Sequence, residues 1–448
     1  MKGARVAVVG GGLAGIAAAL ELADGGATVT LYESRSRLGG ATYSVRRRDH
    51  WIDNGQHVLL RCCTAYRGFL ARLGVEQLVP IQPRLRIPIL REERPPAFLR
   101  RAPLPAPLHL VPTLVRFPLL GSKERLLALR AAAALRKLRP TDERLDEQTF
   151  GEWLDAHGQS ARAVAELWNL ITLPTLNLSA SEGSLALATM VFRTGLLDAA
   201  DACDVGVPSV TLQRLHGDPA TAALADAGVI VRLGTPARAV DAGRIVVDDG
   251  AEDADVTIVA VPHDAVARLV PPGTVDADAL DALGSSPIVN LHVHFDRHVL
   301  EEPFAAAEAR SPLQWLFDRT KASGARDGQL VSVSLSGANA EIGEPLATLR
   351  DRYLPALERL LPRARTAEVI DFTATREPRA TFRGAPGSAR RRPGARTNVP
   401  GLYLAGAWTD TGWPATMESA VRSGVAAARA ALADLEHGRV DARPKAVA

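Results

Sequence analysis

Gly10, Gly12 and Gly15 spell G-x-G-x-x-G directly after the apolar run Val6-Ala-Val-Val9. That spacing suits a dinucleotide phosphate. The first glycine permits a tight turn, the second lets backbone approach a pyrophosphate, and the third lets a helix sit close to the strand. Glu33 follows 18 residues after Gly15. A carboxylate there can accept both hydroxyls of an adenosine ribose. Leu13 and Ala14 open the helix whose N-terminal N–H groups face the phosphates. The alternative is a glycine-rich turn opening an ordinary strand–helix–strand unit.

The elements that must hold these residues are legible around them. Residues 6–9 form a short β-branched run that ends in glycine, as a buried parallel strand does. Residues 13–23 hold no proline, and no glycine except Gly15, and read as a helix stopped by Gly25-Gly26. Residues 27–32 are the second strand.

After Glu33 come Ser34, Arg37, Gly39 and Gly40. The pattern E-x-x-x-R-x-G-G resembles the flavin amine oxidases and phytoene-type desaturases. The resemblance implies FAD, with Ser34, Arg37 and the glycine pair continuing along its diphosphate and ribityl chain. This chain has Ala41 where the family often carries a second arginine. Further on, Asp53-Asn-Gly55-Gln56-His57-Val-Leu resembles one branch of that superfamily, the hydroxysqualene dehydroxylases. In the superfamily this turn lies near the isoalloxazine ring. Gly55 and Gln56 are therefore expected beside the flavin. His57 reads equally well as a hydrogen-bonded core histidine and as an active-site group.

A late apolar run, residues 402–405, ends in Gly406. Ala407-Trp-Thr-Asp410-Thr-Gly-Trp413-Pro-Ala-Thr416-Met417-Glu418 then opens a helix. This resembles the second FAD fingerprint of the same branch. The resemblance implies cofactor contacts at Gly406, Ala407, Thr416 and Met417. The helix N-terminus would face the flavin pyrimidine, where reduction leaves negative charge. Ala407 departs from the aspartate the family usually has. A water or Asp410 substitutes, or FAD binds more weakly. The middle block, residues 205–265, resembles the central FAD segment, with Val240 near the adenine.

The rest bounds the class. The chain has 448 residues, 47% hydrophobic and 23% charged, with room for two domains. A net charge of +3 gives no argument for nucleic acid. The cysteines are Cys62, Cys63 and Cys203, in neither a disulfide framework nor a metal-ligand spacing, so a reducing cytoplasm is expected. His292 and His294 share a strand face but lack a third ligand, and no metal is expected. Glycines at 10–12 interrupt any signal-peptide core. No run of 18 apolar residues predicts a membrane span.

Residues 80–120 hold ten prolines, which predicts edge strands and short helices. Between 84 and 139, 13 Arg or Lys face three Glu, with apolar residues interleaved. One reading is a peripheral contact with the inner face of the cell membrane. The other is a solvated basic face. Residues 122–138 read as an amphipathic helix with Ser122 as N-cap, and residues 168–177 as either a greasy pocket wall or helical core.

The expected fold is α/β (α+β, two-domain): a Rossmann-like FAD domain from 1–60, 205–265 and 395–436, and a mixed-sheet and helical substrate domain from 61–204 and 266–394. Residues 437–448 read as a disordered tail. The resemblance implies reductive dehydroxylation of hydroxysqualene to squalene, with an apolar isoprenoid as substrate. The required acid is sought among His57, Asp53 and Glu418. A carotenoid desaturase or isomerase, an amine oxidase and a non-catalytic flavin scaffold remain as alternatives. There is no second G-x-G-x-x-G, so the electron donor is either NAD(P)H acting directly or a partner protein.

Overall fold

The computed structural model describes residues 3–440. Five parallel strands form one sheet in the order Leu402–Leu404, Val256–Val259, Arg5–Val9, Thr28–Tyr32, Ile230–Arg232. Strands buried on both faces should be apolar throughout, and Val8, Leu31, Val256 and Ile258 are at most 1% exposed. Three distant stretches of chain therefore build one layer.

The helix Leu13–Asp24 covers this sheet and packs against Met417–Glu436. Gly424 makes the approach possible. A Cβ there would lie 2.1 Å from the Ala14 carbonyl oxygen and 2.9 Å from its carbon. An antiparallel meander, Ala237–Asp241, Arg244–Val247 and Gly250–Asp253, flanks the sheet. Its Glu252 accepts a hydrogen bond from Tyr32 Oη at 2.9 Å.

The second body is a seven-stranded mixed sheet. Its order is Val369–Phe382, Ser285–Phe295, Gln329–Ser336, Trp315–Asp318, Phe304–Ala307, Arg86–Arg91, Arg94–Arg100. Only Phe304–Ala307 and Arg86–Arg91 pair in parallel. Alternation decides its faces. Leu291, Val293 and Val333 belong to the core shared with helix Leu346–Leu360, while Asn290, His292 and His294 point the other way. His292 Nδ1 shares a hydrogen bond with Ser332 Oγ at 2.9 Å, and His294 Nε2 donates to the Asp327 carbonyl at 2.7 Å. The fold is thus the two-domain α/β arrangement with a mixed second sheet.

Several local expectations shift. Pro95 and Pro96 do sit on the edge strand, but Pro88 lies one strand in. It is tolerated because the parallel neighbour pairs only with Ile89 and Leu90. The helix near 122 starts with Gly121, not Ser122, as N-cap. The Gly121 N–H donates to Glu124, and the helix ends at Leu135. Trp168 packs with Phe150 and Phe192 as helical core. Within residues 437–440, Arg439 pairs with Asp434 at 3.3 Å. Residues 441–448 of that expected tail lie outside the described residues.

Candidate active site

The first glycine loop is shaped partly by the protein and partly for something else. Gly10 has φ +113°, and a Cβ on it would lie 2.4 Å from the Ala260 carbonyl oxygen. A Cβ on Gly15 would lie 1.8 Å from the Gly10 carbonyl oxygen. Both glycines are demanded by the turn and its close neighbours. Gly12 is different, because a Cβ there meets nothing nearer than Gly40 Cα at 3.8 Å. The helix that follows, starting at Leu13 and Ala14, has no side-chain cap and no acidic residue in its first turn. Its bare N–H groups and open approach fit a phosphate.

Glu33 is buried beside this loop. Its Oε2 accepts from Gly11 N at 2.6 Å, and its Oε1 accepts from Arg35 N at 2.8 Å and Ser34 Oγ at 3.2 Å. Each carboxylate oxygen has two lone pairs, and Glu33 orders the loop with part of that capacity. The second glycine pair docks on the first loop. Gly39 N donates to Gly11 O at 2.9 Å, and a Cβ on Gly40 would reach 2.7 Å from Gly12 Cα. Arg37 donates to Gly40 O at 3.2 Å and lies over the Tyr43 ring, 3.9 Å from its centroid. Val240 sits in the meander, buried, its N–H donating to Leu269 O at 2.7 Å.

The C-terminal fingerprint lies on the neighbouring helix. Gly406 has φ +145°, and its N–H donates to Ser423 Oγ at 2.8 Å. Buried Arg392 holds the next residues from below. It donates to the carbonyls of Ala407 at 3.4 Å, Trp408 at 3.2 Å and Thr409 at 2.5 Å. Burial pulls its pKa down to about 10. Thr416 caps the helix that begins at Met417, its Oγ1 accepting from Ser419 N at 3.2 Å. Asp410 is exposed, and its Oδ1 accepts from Gly412 N at 3.2 Å within its own turn. Together the two fingerprints present two adjacent helix N-termini, which suits the diphosphate and flavin of FAD.

The turn carrying Asp53 and His57 is clamped on several sides. Asp53 Oδ1 accepts from Ser44 Oγ at 2.6 Å and Leu212 N at 2.9 Å. Its Oδ2 accepts from Arg319 Nη2 at 3.0 Å. Both side chains of this ion pair are at most 7% exposed. The Asn54 carbonyl accepts from Asn290 at 3.0 Å and Thr375 at 2.9 Å, which ties the turn to the seven-stranded sheet. Gly55 leaves room for the His57 ring: a Cβ there would sit 3.1 Å from Cε1.

His57 Nδ1 donates to the Gly55 carbonyl at 3.3 Å. Desolvation holds its pKa below the ordinary histidine value, against the opposing pull of that carbonyl and of Asp53. His57, Gln56, Asp53 and Arg319 line one small cleft, with Val58, Val207, Pro208, Leu212 and Phe317 beside them. Glu418 is elsewhere. It is 1% exposed and accepts from Ala65 N at 3.1 Å, Tyr66 N at 2.7 Å and Arg422 Nε at 2.7 Å. It thereby caps the helix Thr64–Arg72. So the structure brings His57, Gln56 and Asp53 together and sets Glu418 on a helix N-terminus. Sequence reasoning missed Arg319 and Arg392. The one available signal for Arg319 was an arginine ending the apolar strand Trp315–Asp318.

With this geometry in place, the likenesses to known proteins are informative. The family described as "Flavin containing amine oxidoreductase" matches residues 13–432. A hydroxysqualene dehydroxylase of Rhodopseudomonas palustris is 31% identical, covering 96% of this chain and 98% of that protein. One from Sinorhizobium fredii is 28% identical, covering 96% and 99%. A 15-cis-phytoene desaturase of Synechococcus elongatus is 24% identical, covering 96% of both. Among solved structures, putrescine oxidase bound to putrescine superposes with a TM-score of 0.72 at 19% identity, covering 96% of this chain and 99% of that one. It shares the fold. The chain is an FAD-dependent oxidoreductase that belongs to the flavin-containing amine oxidoreductase family, in its hydroxysqualene dehydroxylase branch.

Proposed function

We propose that this chain reduces the allylic alcohol hydroxysqualene to squalene, a step of squalene and hopanoid biosynthesis. One observation carries the reading beyond the family. The cleft sets an ionisable histidine beside apolar side chains, in a turn held by the seven-stranded sheet through Asn290 and by the backbone N–H of Leu212. Overall, R–OH and a two-electron reductant with two protons give R–H and water. Bound FAD in its reduced form supplies the hydride. The protein must protonate the departing oxygen, orient the allyl group and keep water from the cation.

His57 suits the acid's part. Its Nδ1 proton is committed to the Gly55 carbonyl, so Nε2 is the position that carries the transferable proton. Desolvation favours neutral imidazole, which makes the imidazolium a stronger acid towards a leaving hydroxyl. Asp53 already accepts three hydrogen bonds and Glu418 is fully engaged as a cap. Asp53 then anchors the turn, and Glu418 steadies the helix beside the second fingerprint. Val207, Leu212 and Phe317 place apolar surface beside the reacting carbon.

The reading extends to how the substrate arrives. Leu104, Leu108, Val115 and Leu126 are 41–54% exposed. Arg116, Lys123, Arg130 and Lys137 lie in the same stretch, and none makes an ion pair among the described residues. No described helix is long and apolar enough to cross a membrane. A surface of this kind rests on the anionic inner face of the cell membrane and takes an apolar substrate from it.

The test is anaerobic. The flavin is photoreduced in mild detergent and hydroxysqualene is added. Reoxidation with squalene formed is expected, and a bound, reduced flavin that ignores hydroxysqualene refutes the reading. His57→Ala should keep its flavin and lose turnover.

A further inference from the structure

Arg319 is 5% exposed, and most of its donors are used. Nη1 donates to Pro208 O at 2.6 Å, and Nη2 donates to Asp53 and to Val210 O, each at 3.0 Å. Its Nε is buried and has no acceptor. Gln56 Nε2 is likewise a buried donor with no acceptor. Both residues line the cleft that holds His57. Buried donors are costly unless an acceptor reaches them, and folded proteins leave few of them unmet. Two on one small cleft, beside a histidine, ask for the same thing: an oxygen that accepts.

The charge of the cleft narrows what carries that oxygen. The Arg319 guanidinium is already balanced by Asp53, whose two oxygens are engaged. The subsite is therefore rich in donors but electrically balanced. A phosphate or carboxylate would bring a negative charge with no free cation to meet it. A protonated amine would bring only donors, and no lone pair, to a wall of donors. A neutral hydroxyl offers two lone pairs, and its departing water still accepts.

We infer that Gln56 and Arg319 form an oxygen subsite that selects a neutral alcohol and holds its C–O oxygen for His57. Within a family that includes amine oxidases, this pair turns the cleft from amines to alcohols. The inference rests on the proposed reaction only for the chain that bears the hydroxyl.

The test uses the FAD-loaded protein and short probes, with binding read from the flavin absorbance. Geraniol, its deoxy hydrocarbon 2,6-dimethyl-2,6-octadiene, and geranylamine are titrated at pH 7. The wild type should bind geraniol about ten-fold more tightly than either of the others. Gln56→Leu should erase most of that preference and leave hydrocarbon affinity unchanged. Arg319→Lys keeps a cation for Asp53 but loses the Nε–H, and should do the same. No preference in the wild type, or an intact preference in both variants, overturns the subsite. Where Arg319→Lys fails to load FAD, Gln56→Leu decides alone. Turnover of hydroxysqualene is measured separately on the wild type. A lost alcohol preference in Gln56→Leu without wild-type turnover upholds the subsite and sinks the reaction. Turnover with the preference intact in both variants does the reverse.

Discussion

Gly424→Ala should damage both stability and FAD binding, though alanine is the better helix former. The new Cβ would lie 2.1 Å from the Ala14 carbonyl oxygen and 3.1 Å from Ala18 N. An ordinary contact begins at 3.4 Å, so helices Leu13–Asp24 and Met417–Glu436 must part by about 1.3 Å. The blocking atoms are helix backbone and cannot swing aside. Alanine gains about 1 kcal/mol of helix propensity over glycine. Overpacking of this kind typically costs about 1–3 kcal/mol, and backbone-on-backbone contact belongs at the upper end. The net expectation is a loss of about 1–2 kcal/mol. Gly68 supplies the control. It lies in helix Thr64–Arg72, and a Cβ there meets nothing within 4 Å. Gly68→Ala should therefore stabilise by about 0.5–1 kcal/mol. Urea unfolding of the two apoproteins gives the signs, and flavin fluorescence gives FAD affinity. Both helices begin at the cofactor loops, so Gly424→Ala should also weaken FAD binding. Equal stability gains in the two variants, with unchanged affinity, would refute the reasoning.

Ala407→Asp should tighten FAD binding about ten-fold, since a charged acceptor hydrogen bond is worth roughly 1.5–3 kcal/mol. Titration of apoprotein with FAD checks this, and equal or weaker binding argues that this site is built around alanine. Burial pushes His216 and His292 from an ordinary 6.5 down to about 3. Both stay neutral in the fold while the unfolded chain takes up their protons. Their contribution is full above pH 6.5 and is lost as pH falls towards 3, at up to about 1.4 kcal/mol per pH unit for each histidine. Unfolding free energies at pH 7 and pH 5 should differ accordingly, and His292→Gln should remove one proton from the slope. A flat profile would contradict the burial of both rings. Leu108→Glu with Leu126→Glu should reduce co-sedimentation with phosphatidylglycerol vesicles. Wild-type protein that stays in the supernatant at low salt rules out the membrane surface.

What the sequence made legible was local. Gly10, Gly15 and Glu33 act within about twenty residues of each other, so spacing alone revealed the loop. The central parallel strands announced themselves because burial on both faces makes most of their positions apolar. Arg319 did not, because its partner Asp53 is 266 residues away. In the sequence it is one more charged residue at a strand end. Arg392 was hidden for a different reason, since its acceptors are backbone carbonyls that carry no sequence signature. The basic stretch 84–139 shows the opposite error. Arg101 was counted with the surface cations, yet it pairs with fully buried Asp204 at 2.7 Å. Composition counts charges and does not see which of them a distant carboxylate removes from the surface.

The order in which the parallel sheet is assembled also bears on how the protein is made. Its strands come from residues 5–32, 230–259 and 402–404, and the helix that meets Ala14 begins only at Met417. During synthesis the glycine loop is made long before Met417, where its partner helix begins. Contacts this far apart form late and slowly. FAD capture is thus a closing event of biogenesis, and the cofactor adds its binding energy to a fold that is otherwise already complete. Cells short of flavin should hold less of this protein, and not merely an inactive stock of it. A nascent chain stopped before Met417 would have a first fingerprint but nothing to close against it.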